Sequence, residues 1–492
     1  MAREALIIGS GIAGLAASIR LACMGYRVTV VEKEAYPGGK LSVFRLGAYR
    51  FDRGPSLFTL PELVDDLFRL ASRNPDGLFR YKKLDESCRY FFENGKHFTA
   101  YSDENKMREE LRKVFPEDES AFFSMLRHSE FLYRNLSPVF LQVSLHRPKH
   151  LLRRSTLKPL LNAHKMGIFG NFHQTHRDKF RHAELVQYFD RFATYNGSDP
   201  YRAPATLDII PHLEHGIGTF IPEKGMGAIS ESLYQLALDL GVHFRFNSKA
   251  TEIITDEHQV KGIRLEDGTV LHAPVVVSNM DIWFTYHQLL EKRKAPEKIL
   301  RQEKSSSALV FYWAMNKTFP DLGLHNILFS SDYQREFEHI SAGAGVYADP
   351  TVYINITSKV VKSDAPEGAE NWFVMVNASN HSGQDWDTQV KASREAIVKK
   401  VNRLLNTDIR SAIVAEEVWT PPGIESLTSS HRGALYGNAS NGKYAAFLRH
   451  SNFSKSYRGL YFCGGSVHPG GGIPLCLRSA EIAAKCILED FS

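Results

Sequence analysis

Ala5-Leu6-Ile7-Ile8-Gly9-Ser10-Gly11-Ile12-Ala13-Gly14 runs a short apolar strand into G-x-G-x-x-G, with Glu32 and then Gly38-Gly39-Lys40 downstream. That order describes a dinucleotide cradle. Gly9 permits the tight strand-to-helix turn, Gly11 lets the backbone approach a pyrophosphate, and Gly14 lets the helix pack closely on the strand. The free amides at the helix start would receive the anion, so Gly9, Gly11, Ile12, Ala13 and Gly14 are all expected cofactor contacts. Glu32 closes the second strand, Arg27 to Glu32, where its carboxylate can accept from ribose hydroxyls, and Lys33 follows it. An acid there argues against a 2′-phosphate, which leaves NAD or FAD.

A second glycine-rich region stands near residue 470. Tyr461-Phe462-Cys463 predicts a strand, Gly464, Gly465, Gly470, Gly471 and Gly472 a backbone-lined loop, and Ile473-Pro474 the approach to a helix reaching Leu488. Bare amides are again aimed at an anionic or electron-rich group. FAD is long enough to need contacts at two such loops, whereas NAD would not need the second. The cofactor expected is FAD.

The 492 residues exceed what one hydrophobic core usually supports, so two or three subdomains are expected. A composition of 43% hydrophobic and 23% charged residues is that of a soluble globular enzyme, and a net charge of +5 is too small to imply nucleic acid. Five cysteines without C-x-x-C spacing suggest neither a disulfide framework nor a zinc site, and fit a reducing cytoplasm. No metal site is expected. Residues 5 to 25 imitate a signal peptide, but Gly9, Gly11, Gly14 and Arg20 interrupt them, so no export signal is read. No uninterrupted apolar run suits a transmembrane helix.

Helical patterns are expected from Pro61 to Ala71 and from Ser102 to Arg134, with strands between Tyr81 and Tyr101. Residues 223 to 281 return to the nucleotide domain, with a helix from Ala228 to Leu240, a hairpin turning at Asp267-Gly268, and a buried strand at Val275-Val276-Val277. Strands at Ala308 to Met315, Thr351 to Thr357 and Trp372 to Ala378 and a helix from Asp387 to Leu405 make a second layered domain. From Ser144 to Ala183 the chain is basic and amphipathic, with Arg147, Lys149, Arg177 and Lys179 among its cations and Asp178 its only acid. This stretch is either a solvated face of a core helix, or a surface resting on anionic lipid with its apolar side dipped in; nucleic acid is a third reading. Its six histidines, His146 to His182, read as surface residues, since no i, i+4 pair comes with an acidic third ligand.

With these residues in view, the chain resembles the carotenoid desaturase family, the phytoene-desaturase-type FAD enzymes. The resemblance rests on the Gly9 to Gly14 fingerprint with Glu32 and Gly38-Gly39-Lys40, on Phe51-Asp52-Arg53-Gly54-Pro55-Ser56, on Val277-Ser278-Asn279-Met280-Asp281, and on His468-Pro469-Gly470-Gly471-Gly472-Ile473-Pro474. Arg191 to Ser198 and Leu324 to Ser330 look like the 1-hydroxycarotenoid 3,4-desaturase branch.

The resemblance implies an α/β fold: a Rossmann-like FAD-binding domain of the amine oxidase and phytoene desaturase type, a mixed-sheet substrate domain, and a helical membrane-facing region. The expected boundaries are 1–80, 221–285 and 455–492 for the FAD-binding domain, 81–101 and 286–454 for the substrate domain, and 102–220 for the basic helical region. By the same resemblance Gly54, Pro55 and Ser56 would lie near the isoalloxazine, and Gly464, Gly471, Gly472 and Ile473 would cover the ribityl chain and pyrimidine edge. Gly39, Ala250, Asn279 and Met280 complete the expected cofactor contacts. Lys40 stands where the family more often has Arg, which keeps the charge but loses the planar fork.

The implied substrate is a long acyclic carotenoid, reached from a membrane surface by a cytoplasmic, peripherally attached enzyme, with a quinone or oxygen as final electron acceptor and no nucleic acid partner. Such a hydrocarbon has no acidic proton, so hydride transfer to flavin comes first and orientation in an apolar tunnel is the protein's main task. Catalytic candidates are His468 and Arg449, with Glu214 and Asp208 behind them. Tyr195, Phe220, Phe311, Tyr312, Trp313 and Phe447 are candidate tunnel aromatics. Phytoene desaturation, another flavin oxidase or carotenoid isomerase of this fold, and a non-catalytic isoprenoid-binding protein are the alternatives.

Overall fold

The computed structural model describes residues 3–151, 166–167, 170–290, 295–442 and 444–491. Strand β1 (Glu4–Ile8) forms the middle of a five-stranded parallel sheet in the order β19 (Leu460–Phe462), β13 (Val275–Ser278), β1, β2 (Arg27–Val31), β9 (His243–Arg245). Alternation along β1 sorts its side chains between two layers. Ala5 and Ile7 pack with α1 (Ile12–Cys23), the helix Gly227–Asp239 and the C-terminal helix Ile473–Phe491. Leu6 and Ile8 face the antiparallel sheet of β10 (Ala250–Asp256), β11 (Gln259–Leu265) and β12 (Val270–His272). The apolar run Val275 to Val277 is buried on both faces, Val275 and Val277 toward the helices and Val276 toward the antiparallel sheet, as a central strand requires.

The second layer is a mixed seven-stranded sheet. Its order is β18 (Ile413–Trp419), β14 (Ser307–Met315), β17 (Glu370–Ala378), β16 (Val352–Asn355), β15 (His325–Leu328), β6 (Glu86–Phe91), β7 (His97–Tyr101), and only β15 and β6 pair in parallel. One face carries Leu309, Phe311 and Trp313 against Ile397, Val398 and Val401 of the helix Trp386–Leu404. The other face looks into the molecule's large cavity. Two-stranded ribbons, β3 (Val43–Leu46) with β4 (Tyr49–Asp52) and β5 (Tyr81–Lys83) with β8 (Phe220–Pro222), tie the layers together.

The helical pattern expected from Ser102 to Arg134 divides into α2 (Glu104–Val114) and α3 (Glu119–Leu136). Pro116 has no N–H to continue the ladder. The buried Asp118 in the break accepts from the Arg181 and His182 amides and pairs with His182 Nδ1 at 2.8 Å, which fastens a distant segment to this corner.

The basic stretch is partly corrected. Residues 152–165, which hold Arg153, Arg154, Lys158 and Lys165, lie outside the described residues. Of the rest, Arg147 pairs with Glu489 and Asp490 and Phe172 is fully buried, so these two belong to the folded body, while Lys149, paired with Glu489, stays exposed. The histidines among the described residues are not surface residues as expected: His176 is fully buried between Asp190 and Asp208 at 2.7 and 2.8 Å, and His173 and His182 are half-buried on Asp190 and Asp118, while His164 lies outside the described residues. Their carboxylate partners come from elsewhere in the sequence, so spacing within the stretch could not reveal them. Among the described residues no helix is long and apolar enough to cross a membrane.

Candidate active site

The turn after β1 is built as its glycines require. Gly9 has φ +91°, and a Cβ at Gly14 would stand 2.1 Å from Gly9 O, so only glycine lets α1 start this close to the strand. Gly14 therefore acts in packing, while Gly9, Gly11, Ile12 and Ala13 line the cavity. Gly11 caps α1 without any side-chain acceptor, leaving the first helical amides free for a ligand. Glu32 is buried; the Ser10 amide and hydroxyl both donate to its Oε2, at 2.7 and 2.8 Å, and the Glu34 amide donates to Oε1 at 3.0 Å. Those donors fix the carboxylate at the cavity edge with acceptor capacity to spare.

Gly38 and Gly39, at φ +107° and +57°, cross over this turn; the Gly38 amide donates to Ser10 O, and a Cβ on Gly39 would lie 3.3 Å from Gly11 Cα. Lys40 is half-buried, its ammonium donating once, to Leu435 O at 3.0 Å, and burial lowers its pKa. The fork an arginine would offer is replaced by one contact. Gly54 packs where a Cβ would meet Lys40 O at 2.2 Å, and this sets Pro55 and Ser56 on the cavity wall.

The second loop arrives beside the first. A Cβ on Gly464 would be 3.1 Å from Asn279 Oδ1, one on Gly11 would be 2.8 Å from Asn279 Nδ2, and the Asn279 amide donates to Ile8 O. Asn279 thus stands where both glycine loops converge. Gly471 lies against Tyr436, whose Cα would be 2.6 Å from an added Cβ, and Gly472 and Ile473 follow it along the wall. Lys33, Ala250 and Met280 line the same space. All of these residues border one cavity of about 1220 Å³. Backbone cradles that a Cβ would fill, a fixed acceptor at Glu32 and two loops converging on Asn279 fit FAD.

Beyond Ser56 the cavity widens between the large sheet and the helical layer. Val310, Phe373, Met375 and Ile327 form its sheet side, and Leu207, Ile210 and Leu213 its helical side. Two polar groups interrupt it. The Arg191 guanidinium donates to both Glu214 oxygens at 2.8 and 2.9 Å and lies 4.2 Å from the Phe192 ring centroid. Tyr195 OH donates to Glu214 Oε2 at 2.5 Å. Burial alone would raise the Glu214 pKa, but Arg191 holds it below the ordinary range. The second group is Ser56, Tyr353, His325 and Asn355, joined by hydrogen bonds of 2.7 to 3.1 Å.

Several expected site residues are placed differently. His468 is fully buried but does not reach the cavity: its Nε2–H donates to Val143 O at 3.0 Å, its carbonyl accepts from Asn452 and Ser479, and burial pushes its pKa down to about 3. It supports the loop from behind, and Pro469 is the residue that touches the cavity. Arg449 is on the wall and buried, donating to Tyr436 O and Asn438 O, with burial lowering its pKa to about 10. Asp208 is spent on His176, which the two carboxylates push up to about 9 against the cost of burial.

Of the aromatics, Tyr195 and Phe447 line the cavity; Phe311 and Trp313 point to the opposite face of β14. Tyr312 shares the cavity-side face but is covered by Phe44 and Phe51, and Phe220 packs on Tyr81. Sequence reasoning missed His325, Tyr353 and the cavity role of Arg191. Polar residues at alternate positions of a buried strand, as Tyr353 and Asn355 are, were the available signal.

Residues 12–488 match the flavin containing amine oxidoreductase family, and the chain belongs to it. It is 50% identical over 487 residues, 99% of each chain, to the 1-hydroxycarotenoid 3,4-desaturase of Flavobacterium sp. strain P99-3. It is 30% identical to the 4,4'-diapolycopene oxygenase of Methylomonas sp, covering 99% of this chain and 98% of the other. The first of these relatives, with the family match, sets it among the carotenoid desaturases, FAD-dependent oxidoreductases acting on CH–CH groups. Its fold is similar to that of cyclohexylamine oxidase from Brevibacterium oxydans IH-35A, with TM-score 0.63, 15% identity, and 100% and 99% of the two chains covered.

Proposed function

We propose that this protein introduces the 3,4 double bond of a 1-hydroxycarotenoid. The observation that carries the reading is the single cavity that joins a dinucleotide cradle to an apolar chamber. At about 1220 Å³ it exceeds the usual range of small-molecule pockets, as an extended cofactor with part of a polyene beside it would demand. Bound in the cradle, FAD supplies a hydride acceptor.

The chain's residues do the rest by position. Glu32 would hold the adenosine ribose, the amides of Gly11 to Ala13 the pyrophosphate, and the loop from Gly464 to Ile473 the far end. Val310, Ile327, Phe373 and Met375 keep the reacting segment dry and aligned. Glu214 is committed to Arg191 and Tyr195, so its carboxylate is compensated where it faces the chamber. Arg449 is a buried cation on the cofactor side, where it would attract electron-rich ring edges rather than take a proton.

Substrate would enter from a membrane on which the protein rests from the cytoplasmic side. Tyr444, Phe447 and Leu448 are 62%, 48% and 55% exposed beside the cavity, and Phe447 packs edge-on to Phe140 at 5.0 Å. Such a cluster at a portal favours lipid contact. Serine at all three positions is expected to weaken sedimentation with anionic vesicles at least about tenfold, given the apolar area removed. Wild-type partitioning by that variant would discard this portal. A quinone or oxygen would take the electrons onward.

Expression in a host that makes defined carotenoids tests the activity. A host supplying 1-hydroxycarotenoids is expected to accumulate pigments with one more conjugated double bond at the hydroxylated end. Longer chromophores only from phytoene would favour phytoene desaturation, and oxygenated termini would favour the chemistry of the Methylomonas relative.

A further inference from the structure

We infer that His325 is the residue that recognises the substrate hydroxyl, its Nε2–H donating to the oxygen on C1; this rests on the 1-hydroxycarotenoid reading above. The argument starts from the sheet. His325 opens β15 directly opposite Asn355 on β16, with Tyr353 two residues further along the same face. The Asn355 side-chain amide donates to Leu324 O at 3.0 Å, which fixes the orientation of its NH₂ group, and the same nitrogen lies 3.1 Å from His325 Nδ1. An amide nitrogen can only donate, so Nδ1 must be the accepting, unprotonated nitrogen. Tyr353 OH, 2.8 Å away, adds a second contact to the same atom.

The ring's single proton is therefore on Nε2. His325 is 3% exposed and on the cavity wall, and Nε2 is buried without a hydrogen-bond partner among the described residues. Burial also holds the imidazole pKa down, at about 4, so the ring stays neutral and keeps this one donor near neutral pH. A buried, unpartnered N–H on a residue of the chamber wall calls for an acceptor, and an alcohol oxygen is the acceptor a hydroxylated polyene brings.

Position agrees with the chemistry. Tyr353 OH bridges His325 Nδ1 and Ser56 Oγ, the latter at 2.7 Å, so the donor stands two hydrogen bonds from the stretch that meets the cofactor cradle at Lys40. The hydroxyl oxygen of the substrate is three bonds from C3, and the group that reads it must stand close to the bond being oxidised. Ser87, Asn196, Arg191 and Arg449 also have unpartnered polar atoms on this wall. None of them is hydrogen-bonded to Tyr353 or Ser56.

The test compares the holoenzyme with His325→Leu, His325→Phe and His325→Gln, using a 1-hydroxycarotenoid and the same carotenoid without the hydroxyl. The readout is the ratio of the two kcat/KM values, with flavin absorbance reporting a loaded site. Wild type is expected to prefer the hydroxylated substrate strongly, and the Leu and Phe variants to lose at least about tenfold of that preference. The Gln variant, which keeps an N–H donor, is expected to retain most of it. A flavin-loaded Leu or Phe variant with the wild-type ratio would overturn the inference, as would a Gln variant that loses the preference as fully as Leu. If wild type itself has no preference, the substrate reading fails first, and His325 with it.

Discussion

Gly11→Val is expected to give a folded but colourless protein. A Cβ at residue 11 would lie 2.8 Å from Asn279 Nδ2, a side-chain atom that can give way, so the fold survives. The rest of the valine would then project where both glycine loops need bare backbone against the cofactor. Overpacking on the scale of about 3 kcal/mol corresponds to a loss of FAD affinity on the order of a hundredfold. Gly14→Val should fail differently, because its Cβ would meet the Gly9 carbonyl at 2.1 Å and force α1 off the sheet. Gly77→Ala, in open space at negative φ, is the neutral control. Flavin absorbance after purification, read with circular dichroism, separates the three; full flavin content in Gly11→Val would remove the cradle from the account.

Arg191→Met is expected to be the most destabilising change in the chamber. The guanidinium and Glu214 are buried together, and removing the cation strands a carboxylate among Tyr195, Leu213 and the sheet. Breaking such a pair costs about 3–5 kcal/mol, while replacing both partners with apolar groups is far milder, so Arg191→Met with Glu214→Leu should recover much of the loss.

The pH dependence should change sign. In wild type the folded Glu214 pKa lies below its unfolded value, so its contribution is present above the unfolded carboxyl pKa, about 4.3, and lost as pH falls through the folded value. Without Arg191, burial raises the folded pKa, and this site then loses stability as pH rises through that raised value. Urea midpoints measured from about pH 5 to about pH 8 should fall with pH in Arg191→Met relative to wild type. Parallel curves for the two proteins would show that the pair is not coupled as described.

What was legible in the chain follows from how local the determinants are. The Gly9 to Gly14 turn, Glu32 and the loop from Gly464 to Ile473 are each set by a few adjacent residues, and the structure brings them around one cavity. The choice between faces of β14 was not legible. All nine of its residues are buried, so polarity does not alternate, and Phe311 and Trp313 look no different from Val310 until the helix Trp386–Leu404 covers one side.

His468 misled for a related reason: a histidine in a cofactor loop reads as reactive, but its partner Val143 is 325 residues away. Arg191 and His325 acquire their settings from Glu214 and Asn355, partners that no spacing rule links to them.

The most direct test of the whole account is a single turnover without oxygen. Flavin-loaded protein mixed with a 1-hydroxycarotenoid in vesicles should bleach its flavin absorbance while the carotenoid spectrum shifts to longer wavelength, one new conjugated double bond for each flavin reduced. Bleaching without a longer chromophore, or an unchanged flavin with this substrate, would contradict it.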